Sequence, residues 1–544
     1  MSTTAKFLEG SILRHILVMS STAAIGISAL FVVDLLDMFF LSLLGEQELA
    51  AAVGYAGTVS FFTTSIGIGL SIALGALVSK AVGAKQDKQA KRLFLNSAVV
   101  TVITSSLVAV LVLFFVPEIL AMIGASGKTA ELAQSYLYIL VPSLPVISLA
   151  MALGGALRAV GDAKLSMMST LAGGGVNAVL DPIFIFLLSM GIEGAAVASV
   201  CSRFAVLFIS TYGVVVKHKL MGKFSFNEFV EDLPTIFAIA GPAMLTNIAT
   251  PIGNAVVTRA IADFGDSYVA GWAVLGRLIP VTFGMIFALS GAIGPIVGQN
   301  FGANDFGRVR ETLTRSIQFC VVFVLGMSLI LFLLRHQIVD VFDMSGDAAD
   351  IILFFCQYIA VFFIFNGILF VANASFNNLG KAKYSTFFNV GKATIGTIPF
   401  VYVGAMIGGW HGVLIGQVLG AILFGVIGVW VAYRHVDKLA MIDQLNRQQQ
   451  VQQATIESHH ADDKQQTVDG ISGASDDTED DKVMSDSSVC SAPLSSACAQ
   501  LAQLDEEPLC HQIAKSQASA EDGSNDNHSD SSDSSNTANG KPKE

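Results

Sequence analysis

Gly75-Ala-Leu-Val-Ser-Lys80-Ala-Val-Gly83-Ala84 closes one long apolar stretch, and Gly294-Pro-Ile-Val-Gly-Gln299-Asn-Phe-Gly302-Ala303 closes another 219 residues later. The same spacing separates Gly161-Asp-Ala-Lys164 from Gly380-Lys-Ala-Lys383, and Glu193-Gly194 precedes His411-Gly412 by 218. A near-constant offset at three places marks an internal duplication. Gly, Pro and charge clusters divide residues 1 to about 435 into twelve apolar segments, six per half. Segments this long, without the period-2 alternation of barrel strands, cross a bilayer as helices. Six crossings is an even number, so both halves enter from the same side and the repeat is parallel. The expected fold is an all-α membrane protein of twelve transmembrane helices in two six-helix lobes. Its expected parts are an N-terminal lobe (1–216), a cytoplasmic linker (217–233), a C-terminal lobe (234–435) and a disordered cytoplasmic tail (436–544).

Composition agrees. The 544 residues are 53% hydrophobic and 14% charged, against about 25% charged in soluble domains. The net charge of −12 says little about partners, because much of the acid excess lies in the last hundred or so residues. Cys201, Cys320 and Cys356 fall in apolar segments and Cys490, Cys498 and Cys510 in the polar tail, with no disulfide or metal-ligand spacing. Lys6 and Arg14 flank an apolar run as in a signal peptide. That run continues to Leu44, carries acids and shows no cleavage site, so it reads as a helix. Loops alternate between basic (Lys80, Lys85, Lys88, Lys91, Arg92; Arg308, Arg310, Arg315) and acidic (Glu46, Glu48; Asp340, Asp343, Asp347). The positive-inside rule then places both termini in the cytoplasm of a multi-pass inner-membrane protein, and gives the loop bases a topological role. The tail, as in Ser529-Asp-Ser-Ser-Asp-Ser-Ser-Asn536, has too little apolar content to offset ordering entropy. Its His459-His460 and Asp462-Asp463 read as a solvated run.

The chemistry concentrates in Gly173-Gly174-Gly175-Val176-Asn177-Ala178-Val179-Leu180-Asp181-Pro182. Asn177 and Asp181 are four apart and share a helix face. A carboxylate at bilayer depth costs about 2.5–3.5 kcal/mol on insertion scales, so it marks a functional or pairing position. Pro182 lacks an N–H and frees a carbonyl one turn back. The glycines admit a neighbouring helix. Asp37 is a second acid, in the first apolar segment. Asp37, Asn177 and Asp181 therefore read as one polar site for ion or proton coupling, with capping of the break at Pro182 as the plainer role for Asp181. Asp34, one turn from Asp37, shares the site or bonds a carbonyl. Tyr136 lines the cavity beside the acids or marks a membrane interface.

These features together resemble the multidrug and toxic compound extrusion (MATE) family over residues 8 to about 435. Leu36-Asp37-Met38-Phe39-Phe40, then Leu44-Gly45 and Leu49-Ala50-Ala51, is similar to that family's first-helix signature. Asn177-x-x-x-Asp181-Pro182, then Gly194-Ala195-Ala196, is similar to its fifth-to-sixth helix pattern. The resemblance implies a V-shaped cavity between the lobes and export of small amphipathic, often cationic compounds in exchange for H⁺ or Na⁺. It makes Ser199 a site hydroxyl, with close packing of a small residue as its plainer role. It makes Asp37, Asn177 and Asp181 the ligands of any Na⁺, with interhelical bonding as the plainer role of Asn177. It implies a secondary transporter acting as a monomer, with no cofactor, enzymatic activity or nucleic-acid partner. The DinF-like branch, with its acids in the N-terminal lobe, fits best. The repeat places Val256 or Val257 opposite Asp37, and the seventh and tenth segments lack carboxylates. One departure stands out. Relatives carry a proline early in the first helix, where this chain has Met19-Ser-Ser-Thr22-Ala. Pro242 holds the equivalent place in the second half.

Two rivals are weaker. A flippase for a lipid-linked precursor would line its cavity with arginines for phosphate. An intramembrane aspartyl protease needs a Gly-x-Gly-Asp type motif, which Ala159-Val-Gly161-Asp162 fails. No P-loop is present for ATP-driven transport.

Overall fold

The computed structural model describes residues 5–42, 44 and 47–470, and every regular element among them is helical. The spans are α1 (Ile12–Ser42), α2 (Gln47–Gly83), α3 (Asp87–Phe114), α4 (Gly127–Ala159), α5 (Ala163–Leu187) and α6 (Gly191–Lys217). The second lobe adds α7 (Phe226–Ala262), α8 (Asp266–Gly302), α9 (Phe306–Val341), α10 (Asp347–Asn378), α11 (residues 382–408) and α12 (residues 410–470). Leu107, Phe208, Leu333 and Ile407 lie exposed on these helices, where hydrocarbon rather than water is the matching solvent.

The duplication holds in three dimensions. Both ends of α2 and of α8 are 219 residues apart, as are those of Leu144–Ala159 and Phe363–Asn378, the second halves of α4 and α10. Ahead of those halves, a single 3-10 turn interrupts each helix at corresponding positions, Val141–Ser143 and Ala360–Phe362. Even the left-handed turn residues recur: Lys85 and Asn304 at φ 57° and 56°, Gly161 and Gly380 at 78° and 77°.

Gly409 separates the last two spans. Its φ of 59° and ψ of −145° are open only to glycine at low cost. The chain reverses there, and α11 and α12 run antiparallel at backbone contact, with Gly404 against Gly412, Gly396 against Gly420, and Gly416 against the Phe400 carbonyl. An added Cβ at Gly404, Gly412, Gly416 or Gly420 would overlap a facing carbonyl, and one at Gly396 would meet the Phe424 ring, which is why small residues recur every four positions.

The lobes join at the end that carries the basic loops. Ile236, Ile239, Ala240 and Ala382 share an apolar cluster with Leu70, Leu74, Leu77 and Val82, while Phe7, Ile12, Ile16 and Met19 pack into the C-terminal lobe's core. The acidic half of the N-terminal lobe has its own cluster, including Leu41, Leu49, Val59, Leu120, Leu137 and Ile185, and among the described residues it takes nothing from the other lobe. This is the separation that a cavity opening at the acidic end requires.

Two expectations shift. The linker is shorter than residues 217–233, because α7 already begins at Phe226, where Glu228, Glu231 and Asp232 gather on Arg92 of α3. The chain after residue 435 is not disordered from there onward: the helix continues to Gly470. No Gly or Pro interrupts residues 429–469, and Asp443 pairs with Arg447 one turn on at 2.9 Å. Residues 1–440 form one compact unit, and the extension belongs to another. His459 and His460 lie on that helical extension, whereas the Ser/Asp-rich run lies outside the described residues. In the first span, α1 is continuous without proline, and Thr22 Oγ1 donates to the Val18 and Met19 carbonyls at 2.8 and 3.0 Å.

Candidate functional site

The three glycines of α5 have three different jobs. Gly173 lets α6 approach, with Ser202 Oγ donating to its carbonyl at 2.8 Å, and Gly174 admits Val33 of α1. Gly175 faces open space. With α1 drawn against α5, the Asn177 amide reaches both acids. Its Nδ2 donates to Asp37 Oδ1 at 2.7 Å and to Asp181 Oδ2 at 2.7 Å. An amide nitrogen has two hydrogens, so one side chain bridges two carboxyl groups on two helices. Asp181 is fully buried, Asn177 nearly so, and Asp37 half-buried. Asp181 Oδ1 is buried and has no hydrogen-bond partner, leaving one acceptor position for a proton or cation. After Asp181 the helix widens into a π turn over Ile183–Leu187, the local consequence of Pro182.

The buried Tyr136 hydroxyl lies in hydrogen-bonding reach of Ser199 and in electrostatic range of Asp37, Asp181 and Arg203. Four of the site residues expected from sequence thus gather with Tyr136 in one place: Asp37, Asn177, Asp181 and Ser199. Asp34 lies on α1, one turn before Asp37, and its side chain is outside the described residues.

Arg203 is the residue that sequence reasoning missed. It sits one turn after Ser199 on α6 and donates through Nη1 to Ser143 Oγ at 2.7 Å and to the Leu140 carbonyl at 3.1 Å. That carbonyl borders the 3-10 turn of α4, where the regular helical ladder is broken. The signal was a lone arginine inside an apolar run. The N-terminal lobe therefore holds a cation as well as its acids. In the C-terminal lobe the positions corresponding to Asp37, Asn177, Asp181 and Tyr136 are Val256, Gly396, Phe400 and Phe355, so the acid site is not duplicated.

The loop bases do more than set topology. Arg92 bonds Asp232 through Nε and Nη2, each at 2.9 Å, and Asn96 adds a bond of 2.7 Å to the same carboxylate. Arg308 holds the Phe7 and Gly10 carbonyls and Asn300 Oδ1. Asp162 caps α5 through the Leu165 N–H and accepts from Lys217 at 2.6 Å and His218 at 2.8 Å. Burial alone would raise the Asp162 pKa, but the hydrogen bonds from Lys217 and His218 outweigh it and hold the carboxyl below its ordinary range.

A family model, MatE, matches residues 23–183 and 242–403, more than half of the chain and one block per lobe. The chain belongs to the MatE family. As a MatE protein it is a multi-pass membrane transporter. Among curated relatives it is 26% identical over 433 residues to the FAD transporter of Shewanella oneidensis, covering 78% of this chain and 96% of that one. It is also 26% identical over 446 residues to the multidrug export protein MepA of Staphylococcus aureus, covering 80% and 96%. In fold it matches a MOP superfamily transporter from Pyrococcus furiosus with a TM-score of 0.75 at 22% identity, covering 80% of this chain and 98% of that one. It matches an outward-facing multidrug resistance MATE family transporter with a TM-score of 0.74 at 22% identity and the same coverage. These structures establish the twelve-helix MatE fold.

Proposed function

We propose that this protein is a cation-coupled secondary exporter of small amphipathic compounds, chiefly cations, of the DinF-like branch. In this reading it sits as a monomer in the inner membrane with both termini in the cytoplasm. The observation that carries it is the single amide of Asn177 joining Asp37 to Asp181 inside the N-terminal lobe. Desolvation and like-charge repulsion disfavour two ionised, unliganded carboxylates there. A cationic compound relieves that repulsion from one side of the membrane. A proton or Na⁺ relieves it from the other, so cargo and coupling ion occupy the site in turn. Na⁺ would take the free Asp181 Oδ1 together with Asp37 and Asn177. Ser199 and Tyr136 would orient these groups without carrying charge. The name of the MepA relative supports export of drugs.

The test is efflux from everted vesicles, with ΔpH and a Na⁺ gradient imposed separately. Asp37→Asn and Asp181→Asn should insert and fold but lose gradient-driven efflux, because a neutral isostere cannot exchange a proton or counter-ion. Wild-type efflux by the double Asn variant would leave the acids a structural role.

A further inference from the structure

The C-terminal lobe lacks the acids but has an ionisable group of its own. Lys392 lies on α11, ten residues past Ala382, or about 15 Å along the helix in a hydrocarbon layer about 30 Å thick. Its neighbours fix where it sits. Gly391 packs against Phe424 of α12, and Gly253 of α7 packs against Ala393. The lysine is therefore enclosed by α7, α10, α11 and α12, the helices whose repeat mates build the acid site. It stands one turn before Gly396, the counterpart of Asn177.

Its ammonium donates to Asn366 Oδ1 of α10, and among the described residues no carboxylate pairs with it. An ammonium has three donors, and a neutral amide oxygen occupies one. Both Lys392 and Asn366 are half-buried rather than sealed. A charge at this depth with one neutral partner is costly, and such residues are retained where they meet a ligand or an ion path. Just beyond it the helix is broken at residues 394–397, with Thr397 Oγ1 bonding back to the Lys392 carbonyl. Irregular backbone at membrane depth is tolerated where it is buried in protein or lines a cavity.

We propose that Lys392, positioned by Asn366, binds an anionic group of the transported compound, a carboxylate or phosphate, while the Asp37–Asp181 pair takes its cationic group. The preferred cargo class is then amphoteric: a molecule with a positive and a negative group on an apolar frame. This refines the exporter reading above and rests on it. The acid pair in one lobe and the lysine in the other also favour one orientation of such a molecule across the cavity.

Rhodamine B and its ethyl ester test this, since both carry the same cation and only the acid carries a carboxylate. Binding of each to the full-length protein in nanodiscs would be measured for wild type, Lys392→Met, Lys392→Arg and Asn366→Asp. Loss of a charge-assisted hydrogen bond should weaken rhodamine B binding roughly tenfold or more in Lys392→Met, with the ester little changed. Lys392→Arg should keep most of the affinity for the acid. Asn366→Asp places a carboxylate where the ligand's would sit, so it should lose rhodamine B selectively, and it serves if Lys392→Met fails to insert. Equal weakening of both dyes, or no change in either, overturns the anion site. Gradient-driven efflux in vesicles separates the two readings. Efflux of both dyes that is indifferent to Lys392→Met keeps the exporter and removes the anion site. Lys392-dependent rhodamine B binding without gradient-driven efflux keeps the site and removes the exporter.

Discussion

Gly83 and Gly302 are repeat mates, and each packs on the other's helix: Gly83 against the Gln299 carbonyl and Gly302 against that of Lys80. Gln299 and Lys80 are themselves 219 apart, so the contact is symmetric about the pseudo-twofold axis. The neighbouring mates Ser79 and Gly298 meet in the same way. The N-terminal segment reinforces the junction, with the Phe7 N–H donating to Gln299 Oε1 at 2.9 Å and Gln299 Nε2 to the Ala159 carbonyl at 2.7 Å. These bonds tie both lobes together at the basic end.

A side chain at either glycine should force that end apart. Gly83→Val and Gly302→Val should each populate longer distances between spin labels placed near residues 88 and 308, one per lobe. An unchanged distance distribution in both variants would show that this contact does not hold the lobes closed.

The Asn177 bridge predicts energetic coupling between helices α1 and α5. In a double-mutant cycle on thermal stability, Asp37→Asn and Asn177→Ala should depart from additivity by about 0.5–3 kcal/mol. Additive effects would mean that the amide spans the acids without linking them.

Arg203 should matter for the shape of the site. Arg203→Met leaves Ser143 Oγ without its donor and the Leu140 carbonyl with Ser143 Oγ alone, a loss of about 1–3 kcal/mol. Arg203→Lys should recover part of the stability and of the efflux, since it keeps the charge but not the planar fork. A methionine variant with unaltered melting and transport would reduce Arg203 to a bystander.

Asp162 gives a pH dependence of known sign. Folding lowers its pKa through Lys217 and His218, so its contribution is complete above the unfolded value of about 3.9. It is lost as pH falls through the folded value. Lys217 is half-exposed, so solvent screens that ion pair, and the more buried His218 contact shares the effect with it and with the cap. Asp162→Ala should cost about 0.5–2 kcal/mol near neutral pH, and the gap to wild type should close below about pH 4. Melting curves at both pH values decide it; a gap that persists in acid contradicts the assignment.

The extension beyond residue 440 belongs to a different unit from the bundle. Truncation there should leave membrane insertion and efflux nearly intact at equal expression. A loss of transport would give the extension a regulatory role.

Helix count, lobe duplication and the identity of the acids were legible because they are local or periodic properties of the chain. Hydropathy sets the spans, a constant offset betrays the repeat, and Asn177 and Asp181 share a face by helix geometry alone. Gly409 as the reversal between α11 and α12 was hidden, because an apolar run with glycines reads as helix until packing selects a positive φ. The helix through residues 436–470 was hidden as well, since polar composition suggests solvent but does not forbid helix. Only the tertiary structure decided which glycine of Gly173–Gly175 meets which helix, that Asn177 reaches across to Asp37, and that Arg203 completes the broken turn of α4. These depend on distances between segments far apart in the chain, and local sequence carries no measure of them. The same holds for Lys392: its sequence shows a lysine, and only the surrounding helices place it in the lobe interior, where no acid among the described residues pairs with it.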